Sequence, residues 1–362
     1  MTDAPATSNA DEAVVQFAAR TLSLDTVRLQ RLPGGASRGS FLVQSTTADD
    51  PVAFLRVDEG RGGLSNTSFT LARESAVIRA MAEKGIPVPR ILGENLDPPA
   101  LLMQFLPGRT RLNVELAEQV GPAYMAVLAE IHRLRPNEVL ADAALEGNRA
   151  LQADLNWWTD LANESADAAP YLALALEALR ISIPEPDTHA VFLHGDAGAG
   201  NFLVDDGRIG GLIDWEMAHT GDFHEDLAWV CMRMVFTPFG TVRQRLADYE
   251  TASGRTVLES RLAWYKAFVT WKALVAVDRT LRQGAGQNSE VVQTSRLVSV
   301  AYQPLLADLL LRLLDEAATS APDTARIARE LSAFAAEAER TAQSDETAVR
   351  VLARARAGGF LS

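Results

Sequence analysis

Residues 194–201, His-Gly-Asp-Ala-Gly-Ala-Gly-Asn, place an imidazole, a carboxylate and a carboxamide among residues with almost no side chains. A second acid, Asp214, follows Asn201 along the chain. An amide oxygen and a carboxylate form a small hard-oxygen site, suited to a Mg²⁺ ion that keeps waters and borrows phosphate oxygens. Asp196, which need not bind the metal, is suited to accept the proton of an attacking hydroxyl. These residue types therefore predict chemistry on a phosphate with an alcohol as acceptor.

A predicted β-hairpin brings these groups together. The runs 202–204 and 209–213 flank Asp205-Asp206-Gly207-Arg208, which is a turn signal. In a hairpin the start of the first strand lies beside the end of the second, so we expect Asn201 and Asp214 to face each other. Asp196 lies on the loop that enters the hairpin, and the small residues after it are expected to leave room for a phosphate and an acceptor.

The spacing of these residues matches a known catalytic loop. His-x-Asp followed by Asn five residues after the aspartate is the protein-kinase pattern, with a second metal-binding aspartate downstream. Here that aspartate lies in Ile213-Asp214-Trp215-Glu216. Together with the runs 217–222 and 225–229, the segment from Phe192 to Val230 resembles the aminoglycoside phosphotransferase and choline kinase-like family, in its branch of bacterial small-molecule phosphotransferases.

This resemblance implies an α+β, bilobal protein-kinase-like fold, with a small N-terminal lobe of antiparallel sheet and one helix and a larger, mainly helical C-terminal lobe. It implies an ATP or GTP donor, Mg²⁺, and transfer of the terminal phosphate to a hydroxyl of a small molecule. Carried onto this chain, Asp196 would be the base, and Asn201 and Asp214 would hold the metal. His194 would support the loop by hydrogen bonding.

The N-terminal part supplies the other components that a nucleotide kinase needs. The glycine-rich turn of residues 33–41 contains Gly34, Gly35 and Ser37. Arg56 follows on the third predicted strand, and Glu74 lies in the next helix. By itself such a turn is weak evidence, and the alternative for Arg56 and Glu74 is a surface ion pair, which contributes little to stability.

Arg56 stands where kinases have lysine. Arginine keeps the charge and can hold phosphate with two donors, but its wider fork is not interchangeable with a point charge. Lysine occurs only three times in this chain, and Arg38 could share the phosphate contact. The backbone of Gln104-Phe105-Leu106 falls where the family's hinge would bind the adenine edge.

The remaining pattern predicts the organisation of the chain. Residues 1–10 are expected to be a disordered tail, 11–106 the nucleotide-binding lobe, and 107–362 the catalytic and substrate-binding lobe. Strands are predicted near 27–29, 41–43, 52–57 and within 86–105, and a helix over 67–84. Two amphipathic helices are expected within 324–355, packed on the larger lobe or in a dimer contact.

Composition limits the partners. With 47 acidic against 34 basic residues, the net charge of -13 disfavours nucleic acid and anionic membranes. Cys231 is the one cysteine, which fits a reducing compartment. We find no secretory signal and expect a cytoplasmic monomer or homodimer that acts on a small hydroxylated molecule.

Two other functions remain open at this stage. A metal-dependent phosphohydrolase could use His194, Asp196, Asp214 and His219, but it would leave Arg56 and Glu74 unexplained. A pseudokinase would bind nucleotide and transfer nothing, and Arg56 is the feature that favours it. The identity of the acceptor does not follow from the fold.

Overall fold

The computed structural model describes residues 9–32, 38–47, 50–60, 62–140, 148–164, 169–185, 189–285, 289–316 and 322–361. The chain folds into a small N-terminal lobe built on an antiparallel sheet and a larger, mainly helical C-terminal lobe. The predicted fold class is therefore confirmed. The small lobe contains two helices, one more than predicted.

A five-stranded antiparallel sheet in the order β1-β2-β3-β5-β4 forms the small lobe. Its elements are α1 (Asn9–Leu22), β1 (Val27–Arg31), β2 (Gly39–Ser45), β3 (Pro51–Val57), α2 (Leu71–Glu83), β4 (Ile91–Leu96) and β5 (Pro99–Gln104). Helix α1 begins at Asn9, so the predicted disordered tail overlaps a helix by two residues. The other residues of that tail, 1–8, lie outside the described part of the chain.

Alternation along β3 places the charged residue of this strand toward the large lobe. Ala53, Leu55 and Val57 are buried on the face covered by α1. Successive side chains of a strand point to opposite faces, so Phe54 and Arg56 lie on the face covered by α2. The sheet thus has one apolar face closed by α1 and one face that carries a charge toward the interlobe region.

Helix α2 lies against β4 and β5 on that second face. It begins at the N-cap Thr70, whose side chain accepts a hydrogen bond from Arg73 N at 3.2 Å. Val77, Ile78 and Met81 are buried, which follows the predicted helical spacing. The buried Glu74 on the first turn is directed at Arg56.

The large lobe is a stack of helices with two short pairs of strands. Its helices are α3 (Val114–Ile131), α4 (Asn148–Asn163), α5 (Pro170–Ile181), α6 (Phe223–Arg233), α7 (Val242–Ser253), α8 (Glu259–Gln283), α9 (Glu290–Glu316), α10 (Pro322–Gln343) and α11 (Glu346–Ala357), with a 3-10 turn at Pro136–Glu138. The α8 residues Trp264, Phe268 and Trp271 are fully buried. These aromatic residues therefore belong to the core, as their helical spacing indicates.

Helix α9 is long and apolar enough to cross a membrane by length and composition alone. In the structure it packs against α8, α10 and α11, and Leu305, Leu306 and Leu310 are fully buried. Helices α10 and α11 are the two amphipathic helices predicted within 324–355, and they pack on the larger lobe.

The two strand pairs position the loop that contains Asp196. Strands β6 (Val191–Leu193) and β9 (His219–Gly221) are paired with each other, and β7 (Phe202–Asp205) and β8 (Arg208–Leu212) form the predicted hairpin. Asp206 and Gly207 form its two-residue turn with φ of 45° and 71°, as a type I′ turn requires. The loop 194–201 therefore leaves one strand pair and enters the other.

Candidate active site

Asp226 fixes the start of the loop. Its carboxylate accepts hydrogen bonds from the backbone N–H groups of His194 at 2.8 Å and Gly195 at 2.9 Å. Its Oδ2 also lies 3.0 Å from Nε2 of His132, and the Asp226 side chain is fully buried. Asp226 therefore braces the residues that lead into Asp196.

His194 supports the loop from within. Its Nε2 lies 3.0 Å from the carbonyl oxygen of Ile213, and its ring packs on Trp215 at 4.5 Å between centroids. Trp215 is fully buried and donates to the Leu212 carbonyl at 3.3 Å. These contacts link the loop to the segment that carries Asp214. The His194 imidazole has protein on both of its sides.

The candidate base, Asp196, lies between two donors. Nδ2 of Asn201 donates to Asp196 Oδ2 at 2.8 Å and to the Asp196 carbonyl at 2.7 Å. On the other side, Nε of Arg233 donates to Asp196 Oδ1 at 2.8 Å. Burial raises the pKa of Asp196 above its ordinary value, and the Arg233 charge offsets this effect in part.

Asn201 and Asp214 lie at the same end of the hairpin with a register that differs by one residue from the expected one. Phe202 pairs with Leu212, and the N–H of Ile213 donates to the Asn201 carbonyl at 3.0 Å. Ile213, rather than Asp214, is therefore opposite Asn201. Asp214 follows it in the left-handed region, with φ of 66°, which turns the chain at the position where the second acid stands.

The donor set at this end fits a hard divalent cation. The Asn201 amide nitrogen is used in holding Asp196, so its oxygen is the atom left to bind a metal. One carboxylate oxygen of Asp214 accepts from Arg56, while its side chain stays 34% exposed and accessible. An amide oxygen with a carboxylate oxygen is a suitable partial shell for Mg²⁺.

Arg56 is the centre of a buried charge network that joins the lobes. Its Nη1 lies 2.6 Å from Glu74 Oε1 and 2.8 Å from Asp214 Oδ1, and its Nη2 lies 3.1 Å from Glu216 Oε2. Arg38 lies 2.8 Å from the other Glu74 oxygen and 3.4 Å from Glu216. The alternative of a surface ion pair is therefore wrong, because these two arginines and Glu74 are buried.

The network sets the charge states of the two acids after the hairpin. Burial is the largest single effect and would raise the pKa of Asp214, but the charge and hydrogen bond of Arg56 act together with the charges of Arg233 and His194 and hold this pKa below its ordinary value. Glu216 shows the opposite result, since burial and the Asp214 charge raise its pKa to about 7. Asp214 thus stays ionised for a cation at neutral pH.

The predicted nucleotide contacts are only partly within the described residues. Gly34, Gly35 and Ser37 of the glycine-rich turn lie outside the described residues, so their contact with the nucleotide stays a prediction. Arg38 donates into the protein, to Glu74 and the Phe69 carbonyl, which places its charge on the carboxylates. Gln104 ends β5, and the chain then passes through Phe105 and Leu106 to the hairpin of the large lobe.

Contacts after this hinge segment tie it to the hairpin. The backbone N–H of Arg109 donates to the Val204 carbonyl at 3.0 Å, and Val204 N donates back at 2.9 Å. In the same region the Leu212 N–H donates to the Pro87 carbonyl at 2.7 Å. The candidate adenine-binding backbone and the candidate metal ligands therefore lie on connected elements.

A second polar cluster lies in the large lobe. Ligand atoms of Asp154, His219 and Glu225 lie within 4.8 Å of one another. The ammonium of Lys272 contacts both acids, at 2.7 Å from Glu225 Oε1. The lysine already supplies a cation to these carboxylates, which disfavours a second metal centre.

This cluster also separates the histidines of the phosphohydrolase alternative. His219 lies in the second cluster, with Nε2 3.4 Å from Glu225. His194 instead contacts Ile213 and Trp215. None of these contacts is with Asp196 or Asp214. The geometry therefore supports no joint role for His194 and His219 at one metal.

Two important residues, Glu216 and Arg233, and one contact of Asn201 were missed from the sequence. Glu216 follows Trp215 and was given no role, but it joins the arginine network. Arg233 follows the apolar run 227–232 at the end of α6, and a charge after such a run was a usable signal. Asn201 was predicted as a ligand, but its hold on Asp196 was not, because it depends on how the loop folds back.

The chain matches known proteins in sequence and in structure. The model of a family described as the phosphotransferase enzyme family (APH) matches residues 28–265. The aminoglycoside 3'-phosphotransferase of Streptomyces fradiae is 29% identical over 204 residues, which is 52% of this chain and 74% of that protein. The probable acyl-CoA dehydrogenase IBR3 of Arabidopsis thaliana is 23% identical over 309 residues, or 72% of this chain. The chain spans 38% of the length of that dehydrogenase relative.

Solved structures share the fold. A thermostable mutant of the aminoglycoside phosphotransferase APH(4)-Ia, in a ternary complex with ADP and hygromycin B, has a TM-score of 0.53 at 19% identity and covers 78% of this chain and 98% of its own. The macrolide 2'-phosphotransferase MphH from Brachybacterium faecium has a TM-score of 0.52 at 22% identity, covering 79% and 97%. At these identities the likeness concerns the fold alone.

Proposed function

The chain belongs to the phosphotransferase enzyme family, and from this premise we propose that it moves the terminal phosphate of ATP to a hydroxyl of a small molecule with the help of Mg²⁺. The observation that supports this proposal is the grouping at the end of the hairpin. Asp196 is held by the amide nitrogen of Asn201, whose oxygen would bind a metal, and the ionised Asp214 follows at the same end. A base and two metal ligands are thus available together.

The residues divide the work. Asp196 accepts a hydrogen bond from the acceptor hydroxyl and takes its proton as the new oxygen–phosphorus bond forms and the bond between the γ-phosphorus and ADP breaks, so that ADP leaves. Asn201 and Asp214 would hold Mg²⁺, which supplies charge neutralisation on the phosphate oxygens when bound. Arg56, which is itself held by Glu74 and Glu216, holds Asp214 at the lobe boundary. Most of the catalysis is then positioning, as phosphoryl transfer requires little covalent chemistry from the protein.

The surroundings of Asp196 favour an acceptor without an ammonium group beside its reacting hydroxyl. The carboxylate is already paired with Arg233, so this pair has no net negative charge to attract a polycation. Tyr302 lies close enough to Arg233 and Asp196 for their charges to act on its hydroxyl. Its ring packs on Phe236 at 5.6 Å between centroids. We infer a neutral or anionic hydroxyl compound with an apolar part.

Nucleotide binding is the first test. In a thermal unfolding experiment we expect ATP with Mg²⁺ to raise the Tm, and the Asp214→Asn variant to lose most of this metal-dependent shift. The same measurement with GTP in place of ATP shows which nucleotide the protein binds as donor. A Tm that neither ATP nor GTP raises would contradict the proposal.

The acceptor is found by measuring ADP release above the water background. The panel contains aminoglycosides, macrolides, choline, sugars and amino-acid alcohols. Hydroxyacyl thioesters are included because a relative that matches most of this chain is a probable acyl-CoA dehydrogenase. We expect a neutral or anionic compound to stimulate ADP release, and stimulation by aminoglycosides alone would overturn the inferred acceptor class.

A further inference from the structure

Arg233 is a charged residue in an unusual position. It ends α6, whose preceding residues Leu227, Ala228, Trp229, Val230, Cys231 and Met232 are all buried. From there its guanidinium reaches the candidate base. Nε donates to Asp196 Oδ1 at 2.8 Å, Nη2 donates to Oδ2, and Nη1 lies 3.4 Å from the Ala199 carbonyl.

The glycines of the loop make room for this side chain. A Cβ on Gly198 would lie 3.0 Å from Arg233 Cδ and 3.1 Å from Val230 Cα. A Cβ on Gly200 would lie 3.1 Å from Arg233 Nη1. We expected the small residues to leave space for a phosphate and an acceptor, but at these two positions the space is occupied by the arginine.

Donors from two directions fix the plane of the carboxylate. Oδ2 of Asp196 accepts from both Arg233 and Asn201, whereas Oδ1 accepts from Arg233 Nε. An ionised carboxylate offers about four lone-pair positions. One position on Oδ1 is left for an incoming hydroxyl, and a planar two-point contact with arginine is what holds it in place.

We propose that Arg233 is the positioning residue of Asp196, which orients the carboxylate so that Oδ1 faces the acceptor hydroxyl. This role rests on the proposed function, since it presumes that Asp196 is the base. Arg233 acts through Asp196 and contacts no reacting atom. The competing explanation is structural, in which the ion pair merely fastens α6 to the loop.

Kinetics separate these explanations. We expect Arg233→Ala to lower kcat for ADP release, with ATP, Mg²⁺ and water as the acceptor, by roughly 100-fold, because misplacement of a reacting group by about 1 Å has this effect. The KM for ATP should change far less. Millimolar guanidinium ion should restore part of kcat, while Arg233→Lys should restore little, since an ammonium cannot make the two-point contact.

The control is Arg261→Ala. Arg261 lies 2.7 Å from Asp222, the N-cap of the same helix α6, so it is also an arginine–aspartate pair that fastens this helix. We expect its loss to leave kcat within about 3-fold and to be insensitive to guanidinium. An Arg233→Ala variant with wild-type kcat, or with a loss that guanidinium leaves unchanged, would overturn the proposal.

A second measurement does not depend on turnover. Urea unfolding of Arg233→Ala, Asp196→Asn and the double variant should show coupling, with a midpoint shift in the double variant smaller than the sum of the single shifts. Additive shifts would overturn the proposed pairing. If the wild type releases no ADP with water or with any acceptor of the panel, the proposed function fails, and this cycle still decides whether Arg233 holds Asp196.

Discussion

At the scale of single residues, Arg56 shows how one substitution changes the design of a site. In the kinase pattern a lysine pairs with the helix glutamate, whereas Arg56 reaches Glu74, Asp214 and Glu216 with two nitrogens. A single ammonium on a flexible stem cannot span three acids in this way. The arginine therefore links the lobes, and under the proposed function its charge would also lie near the nucleotide.

We predict that Arg56→Lys lowers the free energy of unfolding by about 2 kcal/mol and Arg56→Met by about 4 kcal/mol, since a buried acid that loses its partner is strongly destabilising. Urea unfolding at pH 7 measures both. Arg31→Lys is the control, because Arg31 pairs with Glu59 at an exposed position and should change stability by less than about 1 kcal/mol. Equal effects of Arg56→Lys and Arg31→Lys would contradict the linking role.

The residues of the site differ in how far sequence could predict them. Asp196, Asn201 and Asp214 belong to one short segment whose spacing matches a known loop, and the structure brings them to one end of a hairpin. Glu216 and Arg233 act through contacts set by the packing of α2 and α6. Such contacts join positions distant in sequence, so no local pattern shows them.

At the scale of elements, the loop 194–201 depends on the close approach of another backbone segment. Gly195 has φ of 81°, and a Cβ there would lie 2.1 Å from the carbonyl oxygen of Met217. Because that contact is with backbone, it cannot be relieved by rotating a side chain. The segment after Asp214 therefore presses directly on the residue before Asp196.

We predict that Gly195→Ala lowers turnover at least 100-fold and destabilises the fold by more than about 2 kcal/mol. The matched control is Gly254→Ala, at φ of 72° with open space around the new Cβ, which isolates the cost of the left-handed backbone at about 1 kcal/mol. ADP release and urea unfolding of both variants make the comparison. Similar stability in the two variants would show that the Met217 contact is unimportant.

Elements were predictable where local signals are strong. The Asp-Gly turn and its flanking strands predict the β7–β8 hairpin, and helical spacing predicts α2, α10 and α11. Strands β6 and β9 have three residues each, too few to show a period. A regular ladder from the Asp205–Arg208 pair would place Asn201 opposite Leu212. The register shift between Leu203 and Val204 moves this pairing to Ile213, one residue short of Asp214, and a pattern of residue types does not reveal such a shift.

At the scale of the whole molecule, the cluster of Asp154, Glu225 and Lys272 joins three helices, α4, α6 and α8, inside the large lobe. Burial alone would raise the pKa of Glu225, but the charges of Lys272 and His219 lower it to about 2 from 4.5. A lowered pKa in the folded state means that ionised Glu225 stabilises the fold above about pH 4.5. This contribution is lost as the pH falls from 4.5 toward 2.

We predict that Glu225→Gln lowers the free energy of unfolding by about 3 kcal/mol at pH 7, because the buried Lys272 and the adjacent His219 keep one acidic partner fewer. The difference from the wild type should shrink as the pH falls below 4.5. Glu177→Gln, which removes an exposed partner of Arg326, is the control and should have a small effect at either pH. A difference that stays constant from pH 7 to pH 3 would exclude this linkage.

The fate of the terminal phosphate distinguishes a phosphotransferase from a phosphohydrolase. With γ-labelled ATP, Mg²⁺ and the hydroxylated panel, we predict that the wild-type protein transfers label to an organic acceptor. Asp196→Asn, which keeps the shape of the side chain beside Arg233, should reduce transfer by about 10²- to 10⁴-fold while nucleotide binding persists. Label found only as inorganic phosphate, or equal transfer by Asp196→Asn, would contradict the account.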